Sequence, residues 1–303
     1  MQVYDSVSEI IGKTPLVRLK GFGENLYGKC EFLNPSHSIK DRAAYAMIKK
    51  ALDEAHISKE TTIIECTSGN MGISLAMICA TLGLKIILTM PESMSIERRK
   101  MMALFGAKLE LTPASEGMKG AYERALALHK EIKNSFIPSQ FENLANKFAH
   151  RENTAVEILN DLDGKIDYFV AGFGTSGTIS GVGEVLKEKF ADKVKIIAVE
   201  PAASPLLSEG KAGGHKIQGI GANFIPKILN QSVIDEIQTI SNEDAIATAR
   251  ELALKNGLMV GISSGANVFI ANKIAKANPD KIIVTMLNDT AERYLSTDLF
   301  AGI

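Results

Sequence analysis

The strongest constraint on the fold is an alternation that runs along almost the whole chain. Short β-branched runs are followed repeatedly by stretches with apolar residues at helical spacing. Thr61 to Cys66 (TTIIEC) reads as a buried strand, and Gly69 to Gly83 follows as a helix with Ile73, Met77 and Ile78 on one face. Lys85 to Met90 is the next strand. Ser95 to Phe105 is a helix opened by Ser95 and stopped by Gly106, residues 107–112 (AKLELT) are a strand, and Glu116 to Lys133 is a long helix. The pattern then repeats with a helix over Asn153 to Asp161, a strand over Asp167 to Phe173, a helix over Gly177 to Phe190 and a strand over Lys195 to Glu200. Helices over Asn242 to Lys255 and Ala266 to Ala277 and a last strand over Lys281 to Leu287 close it. This predicts an α/β fold with parallel sheets. In open sheets of this kind ligands sit beyond the carboxyl ends of the strands, so the loops that follow strands are where chemistry is expected.

The length, 303 residues, suits about two domains. A formal net charge of -1, from 34 Lys+Arg against 35 Asp+Glu, disfavours a nucleic-acid binder. The longest apolar stretches are interrupted well short of ~18 residues, so no membrane span is expected. The first residues, MQVYDSVSEIIGKTPLVRL, carry acids early and no basic run before an apolar one, so no secretory signal is expected. Cys30, Cys66 and Cys79 are few and lack metal-ligand spacing. They point to a reducing compartment, the cytoplasm, and to no metal site.

Several loops invite a chemical reading. GFGTSG (Gly172 to Gly177) matches G-x-G-x-x-G after a strand and before a helix, with Glu200 ending the next strand ~20 residues on. Alone, this favours NAD(P) and an oxidoreductase. Glycines and free N–H groups at a helix start hold any phosphate, however. The hydroxyls of Thr175, Ser176 and Thr178 suit a terminal phosphate monoester. GISSG (Gly261 to Gly265) has the form of a nucleophile elbow around Ser263, but no histidine follows it, so the hydrolase reading fails. Gly12-Lys13-Thr14 resembles the end of a P-loop but has Val7 where the first glycine belongs and Pro15 where a helix should run.

TSGNMG (Thr67 to Gly72) offers two hydroxyls, an amide and helix N–H groups, an anion site without a charge that suits a carboxylate. Taken alone it also reads as an ordinary N-cap cluster. NPSHSIKDR (Asn34 to Arg42) contributes Lys40. A lone lysine is usually a solvated charge. Beside a phosphate cradle and a carboxylate cradle, it completes the parts needed to hold pyridoxal phosphate as a Schiff base.

With these motifs in place, the chain resembles the cysteine synthase and cystathionine β-synthase family of fold type II pyridoxal-phosphate enzymes. IGKTPLVRL, NPSHSIKDR, TSGNMGISLA, TMPESMSIERRKMM, SQFEN, HKIQGIGANFIP, GISSGAN and ERYLST follow the family's landmarks in the family's order, over nearly the whole chain. Among members, the O-acetylserine sulfhydrylases are most similar. The resemblance implies two three-layer α/β/α domains, a smaller one over 35–142 with a mobile part at about 85–130 and a larger one from 1–34 and 143–303. It implies a homodimer acting on a small amino acid and on sulfide or a thiol, through an α-aminoacrylate. It implies Lys40 as the Schiff-base lysine and the acid and base at Cα, and Asn70 as the partner of the cofactor's 3′-oxygen. Thr67, Ser68, Met71 (through its N–H) and Gln140 would bind the substrate carboxylate. Gly174, Thr175, Ser176, Gly177 and Thr178 would hold the phosphate, Gly219 would lie near the substrate amine, and Thr290 would face the pyridine nitrogen. A neutral hydroxyl there leaves that nitrogen unprotonated and favours β-elimination. Asp289 stands beside it, and an Asp289 carboxylate facing the ring would reverse the argument.

The chain departs from the family's pattern at three places. Met71 replaces a usual Thr and is expected to weaken carboxylate binding or reshape the pocket. Asn223, in GIGANF, stands where cysteine synthases tend to have Gly and cystathionine β-synthases Asp, and would lie near the β-carbon. NDTAER (Asn288 to Arg293) replaces a Pro- and Gly-containing stretch. Met71 and Asn223 keep open a cysteine-consuming, hydrogen sulfide-producing lyase, or a lanthionine- or cystathionine-forming synthase. His37 reads equally as a solvent-facing loop residue or as part of a gate.

Overall fold

The computed structural model describes residues 3–303. In chain order the strands are β1 (Leu16–Arg18), β2 (Leu26–Cys30), β3 (Thr62–Cys66), β4 (Lys85–Pro91), β5 (Lys108–Thr112), β6 (Ser135–Phe136), β7 (Tyr168–Gly172), β8 (Lys195–Pro201), β9 (Glu236–Ile240) and β10 (Ile283–Leu287). The helices are α1 (Lys40–Asp53), α2 (Asn70–Leu82), α3 (Ile96–Leu104), α4 (Gly117–Glu131), α5 (Leu144–Ala149), α6 (Ala155–Asp161), α7 (Gly177–Phe190), α8 (Leu206–Glu209), α9 (Asn242–Asn256) and α10 (Ile262–Ala277). Among the described residues no helix is long and apolar enough to cross a membrane.

The chain forms two compact units. The smaller takes the stretch up to Ile11 and Lys40–Asn146, and the larger takes Gly12–Ile39 and Lys147–Ile303. The smaller unit's sheet has the order β5-β4-β3-β6 and every pair is parallel. Ala43, Met47 and Ile48 of α1 and Ile73, Leu75 and Ile78 of α2 share one core with Ile63, Ile86 and Leu88. Ala125 and Leu128 of α4 pack on Ile64 and Ile87 across the sheet. Alternate strand residues face opposite sides, so both faces of the sheet are covered by helices.

The larger unit's sheet has the order β1-β2-β10-β7-β8-β9, with only the edge pair β1–β2 antiparallel. One core holds Ala245, Ala249 and Leu252 of α9 and Ala266, Ile270 and Ala271 of α10 against Val170, Ile197 and Val199. The other holds Ile158 of α6 and Ile179, Val182 and Leu186 of α7 against Phe169, Ile196 and Ala198. The result is the expected α/β architecture, in two layered units.

Differences from the sequence expectation have local causes. The smaller unit begins at Lys40 rather than at residue 35, and the stretch before Gly12 belongs to it rather than to the larger unit. Ile11 packs on the smaller unit's core, whereas the Gly12 N–H is bonded to Asn34 Oδ1 at 2.8 Å within the larger unit. The helix expected over Asn153–Asp161 begins earlier, because a π-helical turn, His150–Thr154, leads into α6. α10 starts at Ile262 rather than Ala266, since Gly261 supplies an extended entry (φ −74°). The helix α1 is absent from the sequence expectation, although its buried Ala43, Ala44, Met47, Ile48 and Ala51 follow helical spacing; the short strands β1, β2, β6 and β9 have too few residues for a clear alternation.

Candidate active site

In the larger unit β2, β10, β7 and β8 are neighbours and run parallel, so their carboxyl ends share one edge. Four loops leave that edge. After β2 the chain runs as a strap to Ile39, and it is tied down throughout. Glu31 is fully buried, accepting from Thr14 Oγ1 (2.7 Å) and Asn34 Nδ2 (2.9 Å). The loop after β10 then grips the strap. The Ile39 N–H donates to Asn288 O at 2.8 Å, the Thr290 N–H to His37 O at 3.3 Å, and Ser38 bridges Asp289. Arg293 also donates to Ser36 O. His37 adopts a left-handed φ of 61°, with its side chain exposed. Lys40, the residue after this strap, opens α1 in the smaller unit.

Asp289 is 1% exposed and accepts from the Tyr294 hydroxyl at 2.6 Å. A Cβ at Gly261 would stand 2.2 Å from Asp289 Oδ1. The Asp289 carboxylate is therefore directed at Gly261 and Tyr294. Thr290, also buried, bridges Val260. Ser263 and Ser264, the elbow-like serines, accept from Asn288 Nδ2 (3.0 Å) and Asn288 N (2.8 Å) and so brace this loop. Asn267 joins the carboxyl ends of β7 and β10, accepting from Gly172 N (2.7 Å) and donating to Met286 O (2.9 Å).

The loop after β7 is the glycine-rich one. Ser176 sits at the start of α7 with φ 72° and no side chain caps that helix, so its first N–H groups lack intrahelical acceptors. The Ser176 hydroxyl is buried without a hydrogen-bond partner, an arrangement that a ligand oxygen would satisfy. A Cβ on Gly174 would come within 2.2 Å of Gly219 O, so the backbones of the two loops approach as only glycine permits. The Thr178 hydroxyl lies 3.3 Å from His150 Nε2, and His150 Nδ1 is 3.0 Å from Thr154 Oγ1. These observations fit a phosphate group at Gly174–Thr178. Glu200 accepts from the Leu207 and Ser208 N–H groups (2.9 and 3.0 Å) at the start of α8, which accounts for it without a ribose.

The loop after β8 carries Asn223, exposed and left-handed at φ 61°. Ser204 Oγ accepts from Gly213 N (3.1 Å) and donates to Asn223 Oδ1 (2.7 Å). The amide nitrogen of Asn223 therefore points away from Ser204.

In the smaller unit β3 and β6 are adjacent and parallel, and the loops after them contain Thr67–Asn70 and Gln140. Thr67 and Gln140 are buried, Ser68 and Asn70 half-buried. As in α7, no side chain caps the start of α2. The Met71 side chain is 2% exposed and lies in the core of the unit, so only its backbone faces the helix start. The turn is not without charge nearby, as the sequence suggested. A guanidinium nitrogen of Arg98 in α3 lies 3.9 Å from where a Gly69 Cβ would stand. The three cysteines are no rivals to Lys40 as reactive groups. Burial pushes the Cys30 and Cys66 thiols up to about 11 and that of Cys79 to about 12, so they are protonated near neutrality.

Sequence reasoning missed Asn267, His150, Arg98 and the Asp289–Tyr294 bond. Asn267 and Arg98 lie inside motifs already singled out. The His150–Thr178 contact carries no sequence signal, since 28 residues separate the two.

Comparison with known proteins agrees with this arrangement. A family profile described as pyridoxal-phosphate dependent enzyme matches residues 7–289. The cysteine synthase B of Campylobacter jejuni is 70% identical over 301 residues, covering 99% of this chain and all of that protein. The crystal structure of a cysteine synthase from Entamoeba histolytica superposes with a TM-score of 0.95 at 42% identity, covering 99% of this chain and 91% of that one. A hydrogen sulfide-producing enzyme from Fusobacterium nucleatum does so with a TM-score of 0.91 at 45% identity, covering 97% and 100%. The glycine cradle, the strapped lysine and these similarities have one explanation: the chain belongs to the pyridoxal-phosphate dependent enzymes.

Proposed function

We propose that the chain is a cysteine synthase, converting O-acetyl-L-serine and sulfide into L-cysteine and acetate. One observation carries the reading. The loops bearing the strap to Lys40, Thr290 and the Gly174–Thr178 cradle leave three adjacent parallel strands at one sheet edge. Similarity to cysteine synthases over the whole chain supports it.

Pyridoxal phosphate, when bound, supplies an electron sink for charge that develops at Cα. In this reading Gly174, Thr175, Ser176, Gly177 and Thr178 hold the phosphate through backbone N–H groups and hydroxyls, and Asn70 donates to the 3′-oxygen. Lys40 holds the aldehyde carbon covalently, and its Nζ later moves the proton on and off Cα. Thr67, Ser68, the Met71 N–H and Gln140 bind the substrate carboxylate, and Gly219 lies by its amine. Thr290 presents a neutral hydroxyl to the pyridine nitrogen. The direction of the Asp289 carboxylate, toward Tyr294, supports that choice. The part at about 85–130 moves to exclude water. The same reading makes the protein a cytoplasmic homodimer, after the family pattern.

A second reading, hydrogen sulfide release from L-cysteine, is favoured by the similarity to the Fusobacterium enzyme and by Asn223. Purified protein tests both. Borohydride reduction should fix the cofactor on the Lys40 peptide, and K40A should show no such adduct. Unreduced protein should form cysteine and acetate from O-acetylserine and sulfide. Faster sulfide release from cysteine alone would reverse the order of the two readings.

A further inference from the structure

Glu65 has no part in the reading above, yet it is a carboxylate 6% exposed in a core strand. It sits at the carboxyl end of β3, one residue before Cys66 and two before Thr67. Its Oε2 accepts from the Ser139 N–H at 3.0 Å, and the Gln140 and Cys66 N–H groups also bear on it. Ser139 holds a left-handed φ of 56°, a conformation that costs a non-glycine residue energy unless its surroundings impose it. The rest of this turn is tied to itself and to α5. Asn143 Nδ2 donates to Pro138 O and Asn146 Nδ2 to Gln140 O, both at 2.9 Å. Glu65 is the bond from β3 to that turn.

We propose that Glu65 is a positioning residue for the substrate carboxylate, anchoring the Pro138–Gln140 turn so that Gln140 is held beside the Thr67–Asn70 turn. This rests on the assignment of those residues to the carboxylate. Burial and the N–H groups act in opposite directions on the charge of Glu65. Burial pushes the Glu65 carboxyl up to about 7, against the lowering effect of the three N–H groups. No charged side chain is among the causes. The partner across β4 is Leu88, α2 contains no charged residue, and α4 buries Gly120, Ala121, Ala125 and Leu128. The other titratable groups are the Cys66 thiol beside it and the exposed Glu142 of the turn. An ionised Glu65 would place a second negative charge near the bound carboxylate, so amino-acid binding should weaken as pH rises through neutrality.

The test uses holoenzyme and its visible spectrum, titrated with O-acetylserine and with cysteine on either side of neutrality. E65L should raise the half-saturating amino-acid concentration about tenfold while kcat changes less than about twofold. E65Q, a neutral acceptor, should keep the wild-type affinity measured below neutrality and lose its decline above it. Unchanged affinity in E65L, or the wild-type pH dependence retained in E65Q, would overturn the proposal. A wild type that binds these amino acids yet makes no cysteine would instead overturn the proposed function and leave this comparison readable.

Discussion

Asp289 accepts from the Tyr294 hydroxyl in a buried pocket whose wall is Gly261. Removing that donor leaves a buried carboxylate short of a partner. Y294F is expected to cost about 1–3 kcal/mol in a urea unfolding experiment. It should also perturb the visible spectrum of the bound cofactor if the freed carboxylate turns to the ring. Met71 is a residue whose meaning changed on folding. Its side chain belongs to the core, so M71T removes apolar volume and buries a hydroxyl. The variant should lose about 2 kcal/mol of stability. Because that side chain points into the core and only the Met71 N–H is assigned to the carboxylate, the amino-acid KM should change less than about twofold; a large fall in KM would show that the side chain at position 71 reaches the carboxylate. The sequence shows that a methionine stands there, but which way it points depends on the packing of α2 against β3 and β4.

At the scale of elements, the chain distinguishes two kinds of helix start. Ser95 caps α3 and Ser241 caps α9, each accepting from an N–H of the first turn (3.4 and 3.0 Å). α2 and α7 follow the candidate ligand loops and have no side-chain cap. Helix starts without a side-chain cap are where the proposed phosphate and carboxylate contacts lie. Gly174→Ala should therefore act on the cofactor as well as on the fold. Its Cβ would meet the Gly219 carbonyl at 2.2 Å and push the two loops apart. We expect the cofactor to be lost on dialysis at least about tenfold faster than from the wild type, and the thermal midpoint of the apoprotein to fall as well, since a backbone carbonyl must move to admit the Cβ. These starts were legible because a glycine-rich turn after a β-branched run is a local signal. α1 carried a local helical pattern too, in Ala43, Ala44, Met47, Ile48 and Ala51, but it follows a Ser/Pro-rich segment rather than a β-branched run and was passed over. The π-helical turn at His150 was hidden for a different reason. Gly181 lets α7 approach it so closely that a Cβ would stand 2.5 Å from Lys147 O, a contact between distant segments.

For the whole molecule, Glu65 makes stability depend on pH in a definite sense. Its folded value is raised to about 7 from an ordinary 4.5, so the unfolded chain releases the proton first. The contribution is fully present below pH 4.5 and is lost as pH rises through about 7. The size is on the order of 3 kcal/mol. Urea unfolding of the wild type should show this decline, and E65Q should flatten it. The sequence by itself determined the α/β class, the order of most elements and the loops after the strands, because strand alternation, helix periodicity and glycine turns are local in the chain. Only the tertiary structure decided where the two units divide, that Asp289 turns to Tyr294, that Arg98 approaches the Thr67–Asn70 turn, and that Glu65 accepts from Ser139. Each of those depends on segments far apart in sequence being packed together. Burial and hydrogen-bond partners are properties of that packing, and no single stretch of residues contains them.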